Sequence, residues 1–338
     1  MSLNICDKIK ELEKHSLPQI IKIISWNIIY SLYKHNYKNK TQKLLDIDNY
    51  IKTQNPDILF TQESIYNKDN TNNDYICVYT DYNNSSIATN IKKDIFYIYP
   101  NTITRGGYNE FTKDPIIIDQ DNIINKNNTL INDMIRPILA IRLKNKKTEK
   151  NYIFVNLWAP HNFSLKLNND YTLYINHLIE IIEKIYQPND RIIIAGDFNE
   201  YYEHVKIDNL DITINGNTIS LYLKQKLNTC CGTLNVPNDT NSDVSLLSVN
   251  VPTRTLDLLF DSDENYSSVK VDTDMKISDH LPIIGNLEEI QISHGGTRKI
   301  KKSRLPKKSR QHKHPRQHKN SRQHKKSRQH KKTKRNQT

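Results

Sequence analysis

The sequence predicts an α/β protein, and two repeated patterns carry this prediction. Short apolar runs rich in Ile and Val recur along the chain and end at Gly, Asn or Asp, as buried strands do. Longer segments between them repeat apolar residues at helical spacing. Alternation of strands and helices along a chain is typical of sheets that are covered by helices.

The elements of the first half follow in order from residue 21. They are a strand at 21–24, a helix at 39–52, a strand at 58–61, and further strands at 86–90 and 95–99. Asn55 and Pro56 end the helix, because proline cannot continue one. Residues 101–132, which contain the pair Gly106-Gly107, are interpreted as a loop.

The second half continues the alternation. Residues 136–143 alternate polar and apolar side chains, which predicts a strand with one face open to solvent. Residues 153–155 and 192–195 are short apolar strands. Between them, apolar residues recur at helical spacing from Tyr171 to Ile185, which predicts a helix.

Charge is divided unevenly along the chain. Of the 49 basic residues, 19 lie in residues 298–338, which contain no acidic residue. Residues 1–297 hold the other 30 basic and all 37 acidic residues, a formal charge of −7. The basic segment repeats Arg-Gln-His-Lys with a period of six and has no hydrophobic residue after Leu305, so it cannot build a core.

Three segments are therefore predicted: an N-terminal helical extension over 1–20, one globular domain over 21–293 and a disordered basic tail over 294–338. The four cysteines lack the spacing of a zinc site or a dense disulfide framework, so reduced thiols are expected. No secretory signal or membrane-spanning apolar run is recognised. We expect an intracellular protein, nuclear or cytoplasmic, without a membrane partner; the sequence gives no indication of its oligomeric state.

Six short motifs occur in a fixed order, and most of them follow an apolar run. They are Ser25-Trp26-Asn27, Gln62-Glu63, Asn156-Leu157-Trp158-Ala159-Pro160, Gly196-Asp197-Phe198-Asn199, Thr255-Leu256-Asp257-Leu258-Leu259-Phe260 and Ser278-Asp279-His280. Polar side chains just past strand ends, drawn from distant parts of the chain, are how a sheet forms a reactive pocket. One such motif is also typical of an ordinary turn, whereas six in order indicate one site.

The order and spacing of these motifs resemble the endonuclease/exonuclease/phosphatase superfamily, from about residue 21 to about residue 289. The resemblance implies an α/β fold, a four-layered sandwich of two mostly antiparallel β-sheets flanked by helices, with the site at one end. It also implies that the domain over 21–293 is a metal-dependent phosphoesterase. Such hydrolysis needs a cation on the phosphate, an activated water and stabilisation of transition-state charge.

The resemblance also assigns metal ligands. Glu63 resembles the principal metal carboxylate, and Asn27 lies where a neutral oxygen ligand or an orienting amide is expected. Asp279 lies where a further carboxylate on the metal side is expected. Oxygen ligands suit a hard cation, so Mg²⁺ is expected first and Mn²⁺ second.

Four further residues receive chemical roles from the same resemblance. Asp197 resembles the residue that orients and deprotonates the attacking water. Asn199 would point the same way if the segment is extended, and it could donate to the phosphate or to the developing oxyanion. His280 resembles the histidine that contacts the non-bridging phosphate oxygens. Asp257 resembles the carboxylate that orients this histidine and favours its charged form.

Trp158 departs from the family pattern, which commonly has Tyr or His at this position. An indole N–H donates a hydrogen bond but cannot accept one or ionise, so leaving-group assistance by a tyrosine is in doubt. His161 stands where many relatives place an Asn that touches phosphate, and it is predicted to be a site residue; a plain surface histidine is the alternative. Trp158 is then expected to pack against the pocket wall.

The leading functional hypothesis is a Mg²⁺-dependent nuclease that binds DNA or RNA through its active site and its basic tail. A phosphatase or a tyrosyl-DNA phosphodiesterase on the same scaffold is one alternative. A non-catalytic nucleic-acid-binding protein that acts through its tail is another, and the presence of all the acidic motif residues argues against it. The fold does not decide between these functions.

Overall fold

The computed structural model describes residues 19–28, 40–64, 66, 73–82, 85–109, 115–118, 135–160, 168–199, 208–230, 254–264, 267–275, 278 and 280–289. The chain divides into two units, Met1–Ile292 and Ser293–Thr338, and every described residue belongs to the first. The predicted basic tail lies outside the described residues. The predicted N-terminal extension does too, except for Gln19 and Ile20, which begin the first strand.

The described strands fall into two sheets. The strands are β1 (Gln19–Asn27), β2 (Ile58–Gln62), β3 (Tyr75–Tyr82), β4 (Ser85–Lys92), β5 (Phe96–Asn109), β6 (Pro115–Ile118), β7 (Ile135–Asn145), β8 (Asn151–Trp158), β9 (Arg191–Asp197), β10 (Asn209–Ile214), β11 (Asn217–Leu223), β12 (Asp257–Asp261), β13 (Ser267–Val271) and β14 (Ile283–Glu289). Sheet A has the order β13-β14-β1-β2-β4-β3, and sheet B has the order β10-β11-β12-β9-β8-β7-β5-β6.

Two helices connect the parallel strand pairs. Helix α1 (Lys40–Gln54) lies between β1 and β2 in the chain, and helix α2 (Asn168–Glu183) lies between β8 and β9. The pairs β1–β2 and β8–β9 are parallel, and the other named strand pairs of the described sheets are antiparallel. Parallel neighbours need a long crossover, which a helix supplies.

Helix α1 ends as its sequence predicts. Asn55 adopts a φ of 46°, the left-handed conformation that closes helices, and its N–H donates to the carbonyl oxygen of Ile51 at 2.8 Å. Pro56 follows and cannot continue the helix. The chain then enters β2, which is buried throughout.

Three apolar layers hold the domain together. One lies between the two sheets and includes Phe60 and Phe154, whose ring centroids are 6.2 Å apart. A second lies between α1 and sheet A, and a third between α2 and sheet B. The order of layers is therefore helix, sheet, sheet, helix, which confirms the predicted four-layered α/β sandwich of mostly antiparallel sheets.

The side chains between the sheets change character along the strands. Alternate residues of a strand share one face. In the middle of β1, β2, β8 and β9 the inward residues are the apolar Ile23, Phe60, Phe154 and Ile193. Nearer the C-terminal ends the same positions become the polar Asn27, Gln62, Asn156 and Asp197. The inner layer is thus apolar in its centre and polar at one end.

The structure corrects the predicted loop over 101–132. Its first part continues β5 as far as Asn109, and Pro115–Ile118 forms β6 beside it. The glycine pair was misleading, because Gly107 is required by close packing within the sheet. A Cβ at Gly107 would lie 2.5 Å from Cγ2 of Ile135.

The strand predicted over 136–143 exists as part of β7, but its expected solvent-exposed face is wrong. Arg136 is 7% exposed and Arg142 is 6% exposed. Arg142 is buried because it forms a bidentate ion pair with Asp190, with Nε 2.7 Å from Oδ2 and Nη2 3.0 Å from Oδ1.

Neither described helix has the length and apolar composition needed to cross a membrane.

Candidate active site

The metal side of the site forms where β1 and β2 end together. Asn27 and Gln62 are the last residues of these strands and pair with each other, and Glu63 follows directly. The side-chain nitrogen of Asn27 donates to Oε1 of Glu63 at 3.0 Å and to Oδ2 of Asp197 at 2.9 Å. Asn27 therefore ties together two carboxylates that come from different sheets, which fits an orienting amide.

Glu63 is held in an unusual backbone conformation. Its φ is 55°, in the left-handed region that costs a non-glycine residue of the order of 1–3 kcal/mol. A hydrogen bond from the hydroxyl of Thr61 to the carbonyl oxygen of Ser64, at 3.0 Å, closes this turn and helps to offset the cost. The side chain of Glu63 is half-buried.

Asp197 lies at the end of β9 and is 1% exposed. Its Oδ1 accepts a hydrogen bond from the backbone N–H of Asn199 at 2.9 Å, while Oδ2 accepts from Asn27. Burial raises the pKa of Asp197 to about 7, and the negative charge of Asp257 adds to this rise. His280 and the two hydrogen bonds oppose it. The net result is a carboxylate with increased proton affinity.

Asn199 does not share the face of Asp197, contrary to the expectation for an extended segment. Its φ is 43°, so the chain turns immediately after β9. The side-chain nitrogen of Asn199 donates to the carbonyl oxygen of Ala159, just beyond the end of β8. Asn199 thus fixes the ends of two neighbouring strands, and its backbone rather than its side chain contacts Asp197.

His280 and Asp257 form a buried pair. Nδ1 of His280 lies 2.8 Å from Oδ2 of Asp257, which is 0% exposed. The hydroxyl of Thr229 accepts hydrogen bonds from the backbone of Asp257 at 3.0 Å and of Leu256 at 3.2 Å. With Nδ1 directed to Asp257, Nε2 is the imidazole nitrogen that is left for other contacts.

The backbone of His280 is anchored to sheet A. Its carbonyl oxygen accepts a hydrogen bond from the indole nitrogen of Trp26 at 3.0 Å. The hydroxyl of Ser278 accepts from the N–H of His280 at 3.2 Å and donates to the carbonyl oxygen of Asn27 at 2.8 Å. The Ser-Asp-His motif is therefore fastened to the end of β1, which also carries the metal-side amide.

Cys230 is a site neighbour that the sequence did not identify. It is fully buried, and its sulfur lies 3.3 Å from Nε2 of His280. Isolated backbone bridges join it to His280 and to Arg254. Cys230 is disulfide-bonded whereas Cys77 is free, so the expectation of reduced thiols is wrong for Cys230.

Trp158 lies beside Asp197, its partner in the β8–β9 register. Its side chain is 6% exposed, and its indole nitrogen is buried without a hydrogen-bond partner among the described residues. The guanidinium carbon of Arg136 lies 4.3 Å from the centre of the Trp158 ring, a cation–π contact. Arg136 was missed because its alternation with apolar residues suggested a solvent-facing side chain.

His161 and Asp279 lie outside the described residues, so their site roles remain predictions. The other predicted residues converge at one end of the sandwich. One ligand atom from each of Asp197, Asp257 and His280 lies within 4.8 Å of the others, an arrangement that could hold a metal ion. Glu63 adds a third carboxylate through Asn27. This density of carboxylate oxygens fits a hard divalent cation, which would offset their mutual repulsion.

Comparison with known proteins agrees with this geometry. Residues 24–280 match the Endonuclease/Exonuclease/phosphatase family. A search of curated protein sequences found no significant match.

Among solved structures, a family protein from Bacteroides thetaiotaomicron is 18% identical, with a TM-score of 0.52 over 80% of this chain and 98% of its own. Truncated TDP2 from Caenorhabditis elegans is 15% identical, with a TM-score of 0.51 over 80% and 97%. The mannosyl-6-phosphatase Bt3783 of B. thetaiotaomicron is 18% identical, with a TM-score of 0.50 over 78% and 98%. These likenesses establish a shared fold. The family match, which covers most of the chain and all six motifs, shows that this protein belongs to the Endonuclease/Exonuclease/phosphatase family of phosphoric ester hydrolases.

Proposed function

We propose that the protein is a Mg²⁺-dependent phosphodiesterase that hydrolyses nucleic acid. The observation that carries this proposal is the convergence of Asn27, Glu63 and Asp197 with the Asp257–His280 pair at one end of the sandwich. These residues come from five separate motifs. Together they offer metal ligands, a proton acceptor and a hydrogen-bond donor to the phosphate. These are the three functions that phosphodiester hydrolysis requires.

Glu63 would hold the cation, together with Asp279 and with Asn27 as ligand or orienting amide. Mg²⁺, or Mn²⁺ in its place, supplies neutralisation of the charge on the phosphate oxygens. The half-buried position of Glu63 supports this role, because a hydrated ion must be able to reach its ligand. The shared amide of Asn27 keeps this ligand close to the carboxylate of Asp197.

Asp197 would accept the proton of the attacking water. A general base works best when its pKa lies near the operating pH, and burial raises the pKa of Asp197 toward this range. The hydrogen bonds from Asn27 and Asn199 hold its two oxygens in fixed positions. The side chain therefore needs no rearrangement before it takes the proton.

His280 would donate from Nε2 to a non-bridging phosphate oxygen, which would replace the sulfur of Cys230 as the neighbour of that nitrogen. Its Nδ1 is directed to the fully buried Asp257, which fixes the ring. The negative charge that develops on phosphate would then face a hydrogen-bond donor that is already oriented.

Nucleic acid is proposed as the substrate because of the basic tail. Residues 298–338 carry 19 basic and no acidic residues, whereas residues 1–297 have a formal charge of −7. Attraction of a polyanion follows from positive charge alone. The acidic globular part would otherwise repel such a substrate at long range.

The proposal is tested with a panel of labelled substrates. Single-stranded and duplex DNA, abasic duplex, RNA, inositol phosphates and mannose 6-phosphate are each incubated with Mg²⁺ or EDTA, with Asp197→Asn as the inactive control. We expect Mg²⁺-dependent cleavage of an oligonucleotide. Turnover of a phosphomonoester alone would replace the nuclease with a phosphatase. Full activity in EDTA would refute the metal chemistry.

A further inference from the structure

Two buried amides connect the sheets directly beneath the site. Gln62 is the last residue of β2 in sheet A, and Asn156 lies in β8 of sheet B. Both side chains are fully buried. The side-chain nitrogen of Gln62 donates to Oδ1 of Asn156 at 2.7 Å. This hydrogen bond crosses a layer in which most contacts are non-directional and apolar.

Further hydrogen bonds fix the orientation of the Asn156 amide, whereas Oε1 of Gln62 is buried without a hydrogen-bond partner among the described residues. The side-chain nitrogen of Asn156 donates to the carbonyl oxygen of Ala88 at 2.8 Å and of Thr61 at 3.3 Å, so its oxygen must face Gln62. The nitrogen of Gln62 also lies 3.3 Å from the hydroxyl oxygen of Ser25. The resulting network joins β1, β2 and β4 of sheet A to β8 of sheet B.

This network lies next to two parts of the site, the metal half with Glu63 and the proton-accepting half with Asp197. Gln62 pairs with Asn27 and precedes Glu63, so it is attached to the metal side. Asn156 is two residues from Trp158, which pairs with Asp197, so it is attached to the proton-accepting side. A change in the Gln62–Asn156 separation would therefore change the distance between Glu63 and Asp197.

We propose that Gln62 and Asn156 are positioning residues that set the spacing of the metal half and the proton-accepting half of the active site. This inference rests on the proposed function. Apolar packing allows two sheets to slide by fractions of an ångström, whereas a buried amide pair has one favourable geometry. A misplacement of about 1 Å can cost about 100-fold in rate, so this constraint has catalytic consequences.

A second buried hydrogen bond between the same two sheets, far from the site along β8, provides a matched control. The hydroxyl of Tyr152 in β8 donates to Oε1 of Glu289 in β14, and both residues are fully buried. This hydrogen bond also joins sheet B to sheet A, and it starts from the same strand as Asn156. It touches none of the described site residues, so its loss should affect stability alone.

The experiment compares Gln62→Met with Tyr152→Phe. Each change removes one hydrogen-bonding group that links the two sheets and keeps a similar size. We expect both variants to lose thermal stability. Only Gln62→Met should lower kcat, by at least about tenfold, and raise the Mg²⁺ concentration for half-maximal activity several-fold. Tyr152→Phe should keep both within about twofold of wild type.

A second readout does not need activity. The chain has two tryptophans, and both lie at the site, Trp26 beneath His280 and Trp158 beside Asp197. Their indole N–H signals in ¹H–¹⁵N spectra should shift in Gln62→Met and stay in place in Tyr152→Phe. If Gln62→Met does not fold, Gln62→Asn, which withdraws the amide by one methylene, gives the same comparison.

The outcomes separate the two proposals. Loss of stability in Gln62→Met with unchanged kcat, Mg²⁺ dependence and indole signals would show that the amide pair only holds the fold together, and would overturn the inference. Equal effects of Tyr152→Phe on kcat would overturn it as well. A wild-type protein that cleaves no phosphoester would refute the proposed function, while unshifted indole signals in Gln62→Met would independently refute the positioning role.

Discussion

The two halves of the active site use the same residue type in different surroundings. On the sheet A side, Glu63 is half-buried and lies in a turn after β2. On the sheet B side, Asp197 and Asp257 are almost completely removed from water at the adjacent ends of β9 and β12. Asn27 connects Glu63 and Asp197 through one amide nitrogen.

This difference in burial separates two kinds of carboxylate chemistry. A carboxylate that water can reach suits a hydrated cation, because the ion exchanges its waters for the ligand. A carboxylate that is cut off from water holds a proton more strongly, and the raised pKa of Asp197 is the result. One scaffold can thus supply a metal ligand and a base from neighbouring acidic residues.

The largest expected effect comes from the buried half. Asp197→Asn should lower kcat by about 10²–10⁴-fold, the usual contribution of a positioned base. The Mg²⁺ concentration for half-maximal activity should change little, and His280→Ala should lower kcat comparably. The measurement is kcat across a Mg²⁺ titration. Near wild-type turnover in a folded Asp197→Asn protein would assign the base elsewhere.

Glu63→Gln should give the opposite pattern on the metal half. Outer partners of metal ligands are worth about 10–100-fold in metal affinity, so loss of the ligand charge should raise the Mg²⁺ requirement by at least about tenfold. Part of the activity should return at high Mg²⁺ or Mn²⁺. A lost kcat with an unchanged Mg²⁺ requirement would remove the distinction between the two halves.

Deletion of residues 294–338 should leave both halves unchanged and weaken substrate binding. The remaining part is acidic, so oligonucleotide affinity should fall, and its dependence on salt should flatten because fewer counterions are released. Turnover at saturating substrate should stay near wild type. Equal slopes of log affinity against log salt for the full-length and shortened proteins would show that the tail has another partner.

The burial of Asp197 also predicts a pH-dependent stability difference in the metal-free protein. Because its pKa in the folded protein is about 7 and its ordinary value is 3.8, the folded state binds an additional proton between these pH values. Folding stability therefore decreases as the pH rises through this range and levels off above it. Asp197→Asn lacks this loss, so its melting temperature relative to wild type should rise from pH 4 to pH 7. A constant difference would contradict the raised pKa.

The smallest effect is expected at Trp158. Phenylalanine keeps a ring beneath Arg136, so Trp158→Phe should stay within about threefold of wild-type kcat. His161→Ala should be the more damaging change if His161 contacts phosphate. The reverse order would show that the indole N–H serves the phosphate, and it would refute the role proposed for His161.

Each of the six motifs is local in the sequence, which is why the sequence alone could suggest that they form one site. Glu63 and Asp197 lie at the C-terminal ends of apolar strands, Asp257 lies at the start of another, and these strand ends of one sandwich meet. The helices α1 and α2 were predictable for the same reason, since periodicity and a helix end lie within one short segment.

The remaining features depend on contacts between distant residues. The burial of Arg142 depends on Asp190, and the close approach of Ile135 leaves no room for a Cβ at Gly107 in β5. The turn at Asn199 depends on the carbonyl oxygen of Ala159. Periodicity cannot show such partners, which is why these residues were interpreted as exposed, looped or extended.

Gly196 shows that a family motif can record packing as well as chemistry. A Cβ on this residue would overlap the carbonyl oxygen of Leu157 in the neighbouring strand β8. Any side chain there would push β8 and β9 apart, although Gly196 itself performs no reaction. A descendant of this fold that lost its activity would therefore still need the glycine while becoming free to replace Asp197. Within this motif, Gly196 is therefore evidence of the shared fold, and only Asp197 is evidence of catalysis.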